Sequence, residues 1–252
     1  MRYLPFFFRV AVLLFLFVVV SFPARTEAIP LTPIHILIDV GHGGVDSGTL
    51  YGDLYEKDIN LQIAKRLYEQ LTKAGYSVAL NRYEDIALSD DNRWLGNRSR
   101  HIRDLAQRKN LAKEIVPQMM LSLHVNWSKD ARRRGPVVLY QSNEQSYMLA
   151  DLLQSSLNRL ANTNDKPVKG KTYYVLRHQY CPSVIVEMGF ISNASDRHML
   201  THPQSQEKIA RAISDAVSEY VTLTGNLKME ASTEESWWQE PLIEQINGRI
   251  VE

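Results

Sequence analysis

Residues 34–44 read IHILIDVGHGG, and this stretch decides the fold. Its first seven residues are mostly apolar and β-branched, and the run stops at Gly41, as in a strand that is buried on both faces. The segment from Tyr55 to Leu71 then has apolar residues at four-residue spacing and is followed by Gly75, which predicts an amphipathic helix. A buried strand followed by such a helix is typical of an α/β layer structure.

The rest of the chain continues this alternation. Further strands are predicted at Tyr76–Leu80, Gln118–His124, Pro136–Tyr140, Thr172–Leu176 and Ser183–Val186. Further helices are predicted at residues 99–115, Gln145–Leu160 and Pro203–Val221. The alternation predicts an α/β fold, with a single three-layer domain over residues 33–223 and a mostly parallel, twisted sheet flanked by helices.

Composition and charge exclude several classes of protein. The 252 residues include 29 Lys and Arg against 28 Asp and Glu, a net charge of +1, which argues against a nucleic-acid reader. Cys181 is the single cysteine, so the chain has neither an internal disulfide framework nor a cysteine-rich structural zinc site.

Both ends of the chain differ from its middle. Arg2 and Arg9 precede an apolar run over residues 10–20, which is too short to cross the ~30 Å hydrocarbon core of a bilayer as a helix. With the small residues near Ala28, this predicts that residues 1–28 are a signal peptide or an uncleaved signal anchor. Under either interpretation the domain is exported, and contact with the membrane is limited to this segment. Residues 224–252 form an acidic tail that we expect to be flexible.

Four chemically active side chains lie where predicted elements begin or end. His42 follows the first strand, His124 ends the third, and Glu187 ends a later one. Ligands of open α/β sheets bind beyond the carboxyl ends of the strands, so these three side chains are expected at one edge. Glu56 begins the first long helix, and the loop after His42 can fold back to bring it there.

Two histidines and a carboxylate match a catalytic zinc site, which has three protein ligands and an open position for water. The candidate ligands are His42, Glu56 and His124. Glu187 is the candidate general base and acid, which takes a proton from water and passes it to the leaving amine. Asn126 is the candidate substrate-binding residue, and Trp127 beside it either lines the cleft or packs.

Each of these residues also has a simpler interpretation. His42 could be a hydrogen-bonded loop residue, Glu56 a charge in a first helical turn, and Glu187 the partner of an arginine. The GHGG motif could bind phosphate, although it lacks the third glycine of the G-x-G-x-x-G pattern and the lysine of the G-x-x-x-x-G-K-[ST] pattern. Five other histidines are expected to be structural or solvated: His35, His101, His178, His198 and His202. The arginines between residues 93 and 108 are expected to pair with Asp90, Asp91 and Asp104.

Four segments, taken in order, resemble the zinc-dependent N-acetylmuramoyl-L-alanine amidases. They are IDVGHGGVDSG (38–48), EKDINLQIAKRL (56–67), SLHVN (122–126) and SVIVEMGFISN (183–193). The resemblance implies His42, Glu56 and His124 as ligands of one zinc ion and Glu187 as the catalytic carboxylate. It also implies peptidoglycan as the substrate, cleaved at the amide between the lactyl group of N-acetylmuramic acid and L-alanine.

The segments EKDINLQIAKRL and SRHIRDLAQR (99–108) are most similar to the germination-specific, spore-cortex members. This implies a role in muramic δ-lactam formation, with action in the cell wall or the intermembrane space of the developing spore. An activating protein partner is left open. The chain departs from the family at Val40, where proline is usual, at Lys113, where asparagine is usual, and at Val125-Asn126-Trp127, where smaller residues are usual.

Two other functions remain as hypotheses. One is another exported zinc amide hydrolase, a peptidase or a deacetylase, with the same metal chemistry in a different cleft. The other is a non-catalytic wall-binding protein with a vestigial site, against which the presence of all four active-site candidates argues.

Overall fold

The computed structural model describes residues 33–90, 92, 95–177 and 179–225. The predicted signal segment 1–28 and nearly all of the predicted tail 224–252 lie outside these ranges. The described residues belong to one compact unit that begins at Pro33. None of the helices within the described ranges is long and apolar enough to cross a membrane.

A six-stranded sheet forms the centre of the fold. The strands in chain order are β1 (Ile36–Val40), β2 (Leu50–Tyr51), β3 (Leu54–Tyr55), β4 (Val78–Leu80), β5 (Met119–Asn126), β6 (Val137–Tyr140), β7 (Val168–Lys169) and β8 (Ser183–Phe190). The sheet order is β4-β1-β5-β8-β6-β7, while β2 and β3 form a separate hairpin. The first four strands in this order are parallel, and β6 runs antiparallel to β8. The predicted mostly parallel sheet is therefore confirmed.

Within the described ranges, five helices cover the sheet on its two faces. They are α1 (Glu56–Lys73), α2 (Arg100–Ile115), α3 (Glu144–Ala161), α4 (Ala194–Thr201) and α5 (Pro203–Thr224). Helices α1, α3 and α5 bury the larger apolar cluster against one face. Helix α2 and a 3₁₀ turn at Tyr174–Leu176 cover a smaller cluster on the other face, which completes the three layers.

Successive residues of each strand point to opposite faces, and this decides where the polar residues lie. In β1, for example, Ile36 and Ile38 contact the larger cluster and Leu37 contacts the smaller one. Asp39 has the same parity as Leu37, so it faces α2. His124 and Glu187 likewise share their parity with Met120 and Ile185, which belong to the smaller cluster. The α2 face therefore carries the polar ends of three neighbouring strands.

Three predicted elements differ from the structure. The strand predicted at Thr172–Leu176 is a 3₁₀ turn, because Val175 and Leu176 are buried beneath α2 instead of pairing with a strand; the edge strand β7 lies earlier, at Val168–Lys169. Strand β8 continues past Glu187 to Phe190, and β5 continues past His124. Helix α4 was not predicted, although Asn193 caps it by accepting hydrogen bonds from two backbone amides.

Candidate metal and catalytic site

The loop after β1 brings His42 to the carboxyl edge of the sheet. Gly41 N donates a hydrogen bond to Leu123 O (3.0 Å), which joins the loop to β5. A Cβ atom on Gly41 would lie 2.6 Å from Cε1 of His124, so only glycine allows the two histidines to approach each other. The centroids of the two histidine rings are 5.0 Å apart.

Glu56 lies between the two histidines. Its Oε1 atom is 3.3 Å from His42 Nε2 and 3.0 Å from His124 Nδ1, and it also accepts a hydrogen bond from Val125 N (2.9 Å). Its Oε2 atom accepts a hydrogen bond from Thr49 N (2.8 Å), which holds the loop against the start of α1. One ligand atom from each of His42, Glu56 and His124 lies within 4.8 Å of the other two. The structure thus brings together the three residues proposed from sequence as ligands.

The charges of these groups fit a metal site. Burial acts to raise the pKa of Glu56, but hydrogen bonds with His124 and His42 outweigh it and hold that pKa well below its usual range. Burial lowers the pKa of His124, which keeps its ring neutral at physiological pH. For His42 the opposite holds: hydrogen bonds to Asp46 and Glu56 outweigh burial and raise its pKa to about 9. A cation at this position would displace that proton, as metal ions do at histidine ligands.

Asp46 fixes the orientation of the His42 ring. Its Oδ2 atom lies 2.9 Å from His42 Nδ1, so Nε2 faces Glu56. Metal-binding histidines usually donate their second ring N–H to a carboxylate in this way. Two imidazole nitrogens and one carboxylate oxygen, oriented by a further carboxylate, are a donor set that suits Zn²⁺.

Glu187 lies beside the three candidate ligands. It is the register partner of His124 across the parallel pair β5–β8. Its buried Oε2 atom has no hydrogen-bond partner among the described residues. Burial, together with the negative charge of Glu56, raises the pKa of Glu187 to about 8. An unpaired, buried carboxylate destabilises a fold, and such groups are concentrated at functional sites.

A cavity of about 430 Å³ opens onto His42, His124 and Glu187. The segment Thr172–Val175 forms part of its wall, and α2 contributes His101, Leu105 and Arg108. The cavity is large enough to hold a small part of a polymeric substrate around one scissile bond.

Comparison with known proteins decides the family. A family model described as N-acetylmuramoyl-L-alanine amidase matches residues 36–219. The chain belongs to this family. It is therefore an N-acetylmuramoyl-L-alanine amidase, an enzyme of peptidoglycan, with the α/β fold described above.

Among its relatives, the germination-specific N-acetylmuramoyl-L-alanine amidase of Bacillus subtilis is 30% identical over 201 residues, which cover 79% of this chain and 84% of the relative. The structure of the CwlD amidase from Clostridioides difficile, in complex with the GerS lipoprotein, matches with a TM-score of 0.70 and 32% identity, over 75% of this chain and 99% of that one. The catalytic domain of CwlV from Bacillus (Paenibacillus) polymyxa matches with a TM-score of 0.64 and 26% identity, over 75% and 98% of the two chains.

Sequence reasoning missed a buried ion pair that supports the site of the amidase. Arg108 donates two hydrogen bonds to the Asp39 carboxylate, at 2.7 and 2.6 Å, and Ser122 Oγ donates another at 2.6 Å. Arg108 Nη2 also lies 3.1 Å from Nε2 of His124. Asp104, the partner expected for Arg108, is 3.8 Å away and secondary. The sequence feature that could have indicated this ion pair is Asp39 itself, a carboxylate inside an otherwise apolar strand.

The departures at Val40 and Trp127 do not disturb the site. Val40 N donates a hydrogen bond to Asn81 Oδ1 (2.8 Å), a bond that the usual proline could not make. The Asn126 side chain accepts a hydrogen bond from Trp127 N (2.7 Å) at the end of β5. Val40, Asn126 and Trp127 are not among the residues that line the cavity. A substrate-binding role for Asn126 therefore stays a prediction.

The other histidines have different surroundings. His35 is buried and accepts a hydrogen bond from Ser77 N (3.0 Å), and the rings of His198 and His202 stack at 5.3 Å; these three are structural or at the surface, as expected. His101 is solvated, yet it lines the cavity with Nδ1 3.8 Å from Asp46 Oδ2, a placement that the sequence did not indicate. His178 lies outside the described residues.

Proposed function

We propose that this amidase is a single-zinc hydrolase in which His42, Glu56 and His124 hold the metal and Glu187 is the catalytic residue. The observation that carries the proposal is the convergence of the three ligand atoms within 4.8 Å beside Glu187, whose Oε2 atom has no hydrogen-bond partner in the described part of the chain. A zinc ion held by these residues would supply the Lewis-acid chemistry that activates water and polarises the scissile carbonyl. The bond cleaved joins the lactyl carbonyl of N-acetylmuramic acid to the nitrogen of L-alanine.

Glu187 carries the proton through the reaction. It accepts a proton from the attacking water as the new C–O bond forms, and it donates this proton to the alanine nitrogen as the C–N bond breaks. The products are a muramic acid carboxylate and a peptide with a free amino terminus. A carboxyl group whose pKa is raised toward neutrality is suited to both transfers, since it binds and releases a proton at similar cost.

The biological setting that we propose is maturation of the spore cortex, where removal of the peptide precedes muramic δ-lactam formation. The similarity to the germination-specific amidase of Bacillus subtilis supports this role. Residues 33–223 would be the catalytic domain, exported by the segment 1–28 to the cell wall or the intermembrane space of the developing spore. The solved structure of CwlD contains the GerS lipoprotein, which supports an activating protein partner here as well.

Digestion of intact peptidoglycan tests the reaction and the metal. The purified protein, with and without zinc, is incubated with peptidoglycan and the products are identified by mass spectrometry. We expect peptides that begin with L-alanine, glycan strands that stay intact, and loss of activity on chelation. Glu187→Gln should lower the rate by about 10²–10⁴-fold while zinc content stays unchanged, since its role is proton transfer.

Glu69→Gln is the matched control, because Glu69 is exposed on α1 and its replacement removes the same charge. Failure to bind zinc would contradict the ligand assignment. Cleavage of a different amide would favour a peptidase or a deacetylase. Wall binding without any cleavage, in zinc-loaded protein supplied with its partner, would favour a non-catalytic role.

A further inference from the structure

The cavity wall formed by Thr172–Val175 belongs to a strongly basic segment. Residues 166–177 contain four basic residues and no acidic one, in a chain whose overall net charge is only +1. Helix α2, which also lines the cavity and packs against this segment, adds Lys109 and Lys113. Positive charge is therefore concentrated on one side of the catalytic cavity.

Two of these cations lie over aromatic rings, and a third donates a hydrogen bond to a residue of the cavity wall. Lys109 Nζ lies 5.2 Å from the ring centroid of Tyr174, a residue of the cavity wall. Lys113 Nζ lies 5.8 Å from the ring centroid of Tyr180, and Arg177 donates a hydrogen bond to Thr172 O (3.2 Å). We call Lys109, Lys113 and Arg177 the rim cluster. Lys113 is the position at which this chain departs from the asparagine usual in the family.

The rim cluster has no acidic partner within the described part of the chain. No carboxylate oxygen there lies within 4 Å of its charged nitrogens, whereas Lys57, for comparison, is 2.6 Å from Asp85. Burial and then the positive charges of Lys113 and Arg177 lower the pKa of Lys109, so both of these cations are close enough to repel Lys109. A bound anion would relieve this repulsion.

We propose that the rim cluster binds the free carboxylates of the peptide stem on the leaving side of the scissile amide. This inference rests on the proposed function. In the substrate the carboxyl group of muramic acid is already part of the amide and the sugars are N-acetylated, so the free carboxylates lie on the peptide. An extended residue spans about 3.5 Å, so a stem that leaves the cavity along Tyr174 reaches Lys109, 5.2 Å from that ring, within about two residues.

Two muramoyl peptides that differ in one group test the proposal. In one the α-carboxyl of the second stem residue is free, and in the other it is amidated. The zinc-loaded wild type should have a kcat/KM about eightfold higher for the free acid, because three exposed ion pairs contribute about a factor of two each. In Lys109→Gln/Lys113→Gln/Arg177→Gln this preference should fall to about one through KM, with kcat and cleavage of the amidated peptide unchanged.

Lys65→Gln/Lys208→Gln/Arg211→Gln is the control, since it removes the same charge from exposed positions on α1 and α5 and should keep the preference. Calorimetry of both peptides with zinc-loaded Glu187→Gln measures the same discrimination without turnover. Equal binding and cleavage of the two peptides by the wild type would overturn the inference and leave the amidase assignment intact. Absence of any cleavage would instead contradict the proposed function, while the calorimetry would still decide the inference. A triple variant that keeps its peptide preference, but loses retention on walls that carry phosphate polymers, would also overturn it.

Discussion

The two faces of the central sheet are built from the same strands yet serve different purposes. On the face covered by α1, α3 and α5, the strand residues are apolar from one end to the other, as in the series Met119, Leu121 and Leu123 of β5. On the face covered by α2, β5 changes from Met120 to Ser122 and His124. The neighbouring strands change in the same way, from Leu37 to Asp39 and from Ile185 to Glu187.

This difference separates stability from chemistry within a single sheet. The apolar face contributes the burial on which folding depends. The α2 face keeps apolar residues only at the amino ends of its strands, and its polar ends place charge at the edge where parallel strands terminate. The two faces should therefore respond differently to substitution.

The largest expected loss of stability follows from uncoupling the buried ion pair on the α2 face. Asp39→Asn removes the carboxylate that hydrogen-bonds the buried Arg108 guanidinium and leaves only that of Asp104 at 3.8 Å, so we expect the free energy of unfolding to fall by about 4 kcal/mol. Urea denaturation of the metal-free protein measures this loss. Activity should fall as well, because Arg108 also contacts His124.

Ser122→Ala is the matched control for Asp39→Asn. It removes one hydrogen bond to the Asp39 carboxylate and keeps both charges, so it should cost about 1 kcal/mol. An equal loss in the free energy of unfolding of the two variants would contradict the importance of the buried charge.

The pKa of Asp39 is lowered in the folded state, so the stability it contributes is present above its usual pKa of 3.8 and is lost as the pH falls below that value. The difference in the free energy of unfolding between wild type and Asp39→Asn should therefore become smaller in acid.

A truncation on the apolar face should cost somewhat less and leave the chemistry intact. Leu67 is fully buried in the larger cluster, and Leu67→Ala should lower the free energy of unfolding by about 3 kcal/mol through lost burial and a cavity. The kcat of the folded fraction should match that of the wild type. Leu223→Ala, at a mostly exposed position of α5, is the control and should change neither quantity. A large fall in kcat for Leu67→Ala would show that the two faces are not independent.

The smallest effect is expected at an ion pair that joins the same atoms as Asp39–Arg108, at slightly longer distances and in solvent. Arg132 donates two hydrogen bonds to the Asp130 carboxylate, at 3.0 and 3.1 Å, on an exposed loop. Asp130→Asn should leave urea denaturation unchanged, because water and salt replace the interaction. A loss comparable with that of Asp39→Asn would mean that hydrogen-bond geometry, and not burial, determines the strength of both pairs.

Much of this molecule could be predicted from local pattern. The apolar run at Ile36–Val40 and the four-residue spacing in α1 determined a strand and a helix, since periodicity reflects burial directly. The 3₁₀ turn at Tyr174–Leu176 could not be predicted in the same way. Its apolar residues look like those of a strand, and only their burial beneath α2 distinguishes the two.

The candidate site, too, could be predicted from the sequence only in part. The sequence by itself determined which residue types were available, and the placement of His42, His124 and Glu187 near strand ends indicated a shared edge. Only the tertiary structure decided that Glu56 lies between the two histidines, that Arg108 pairs with Asp39, and that Lys109 of the rim cluster lies over Tyr174 of the cavity wall. The physical reason is that strand parity and element order can be read along the chain, whereas the partners of a side chain depend on packing between segments far apart in sequence.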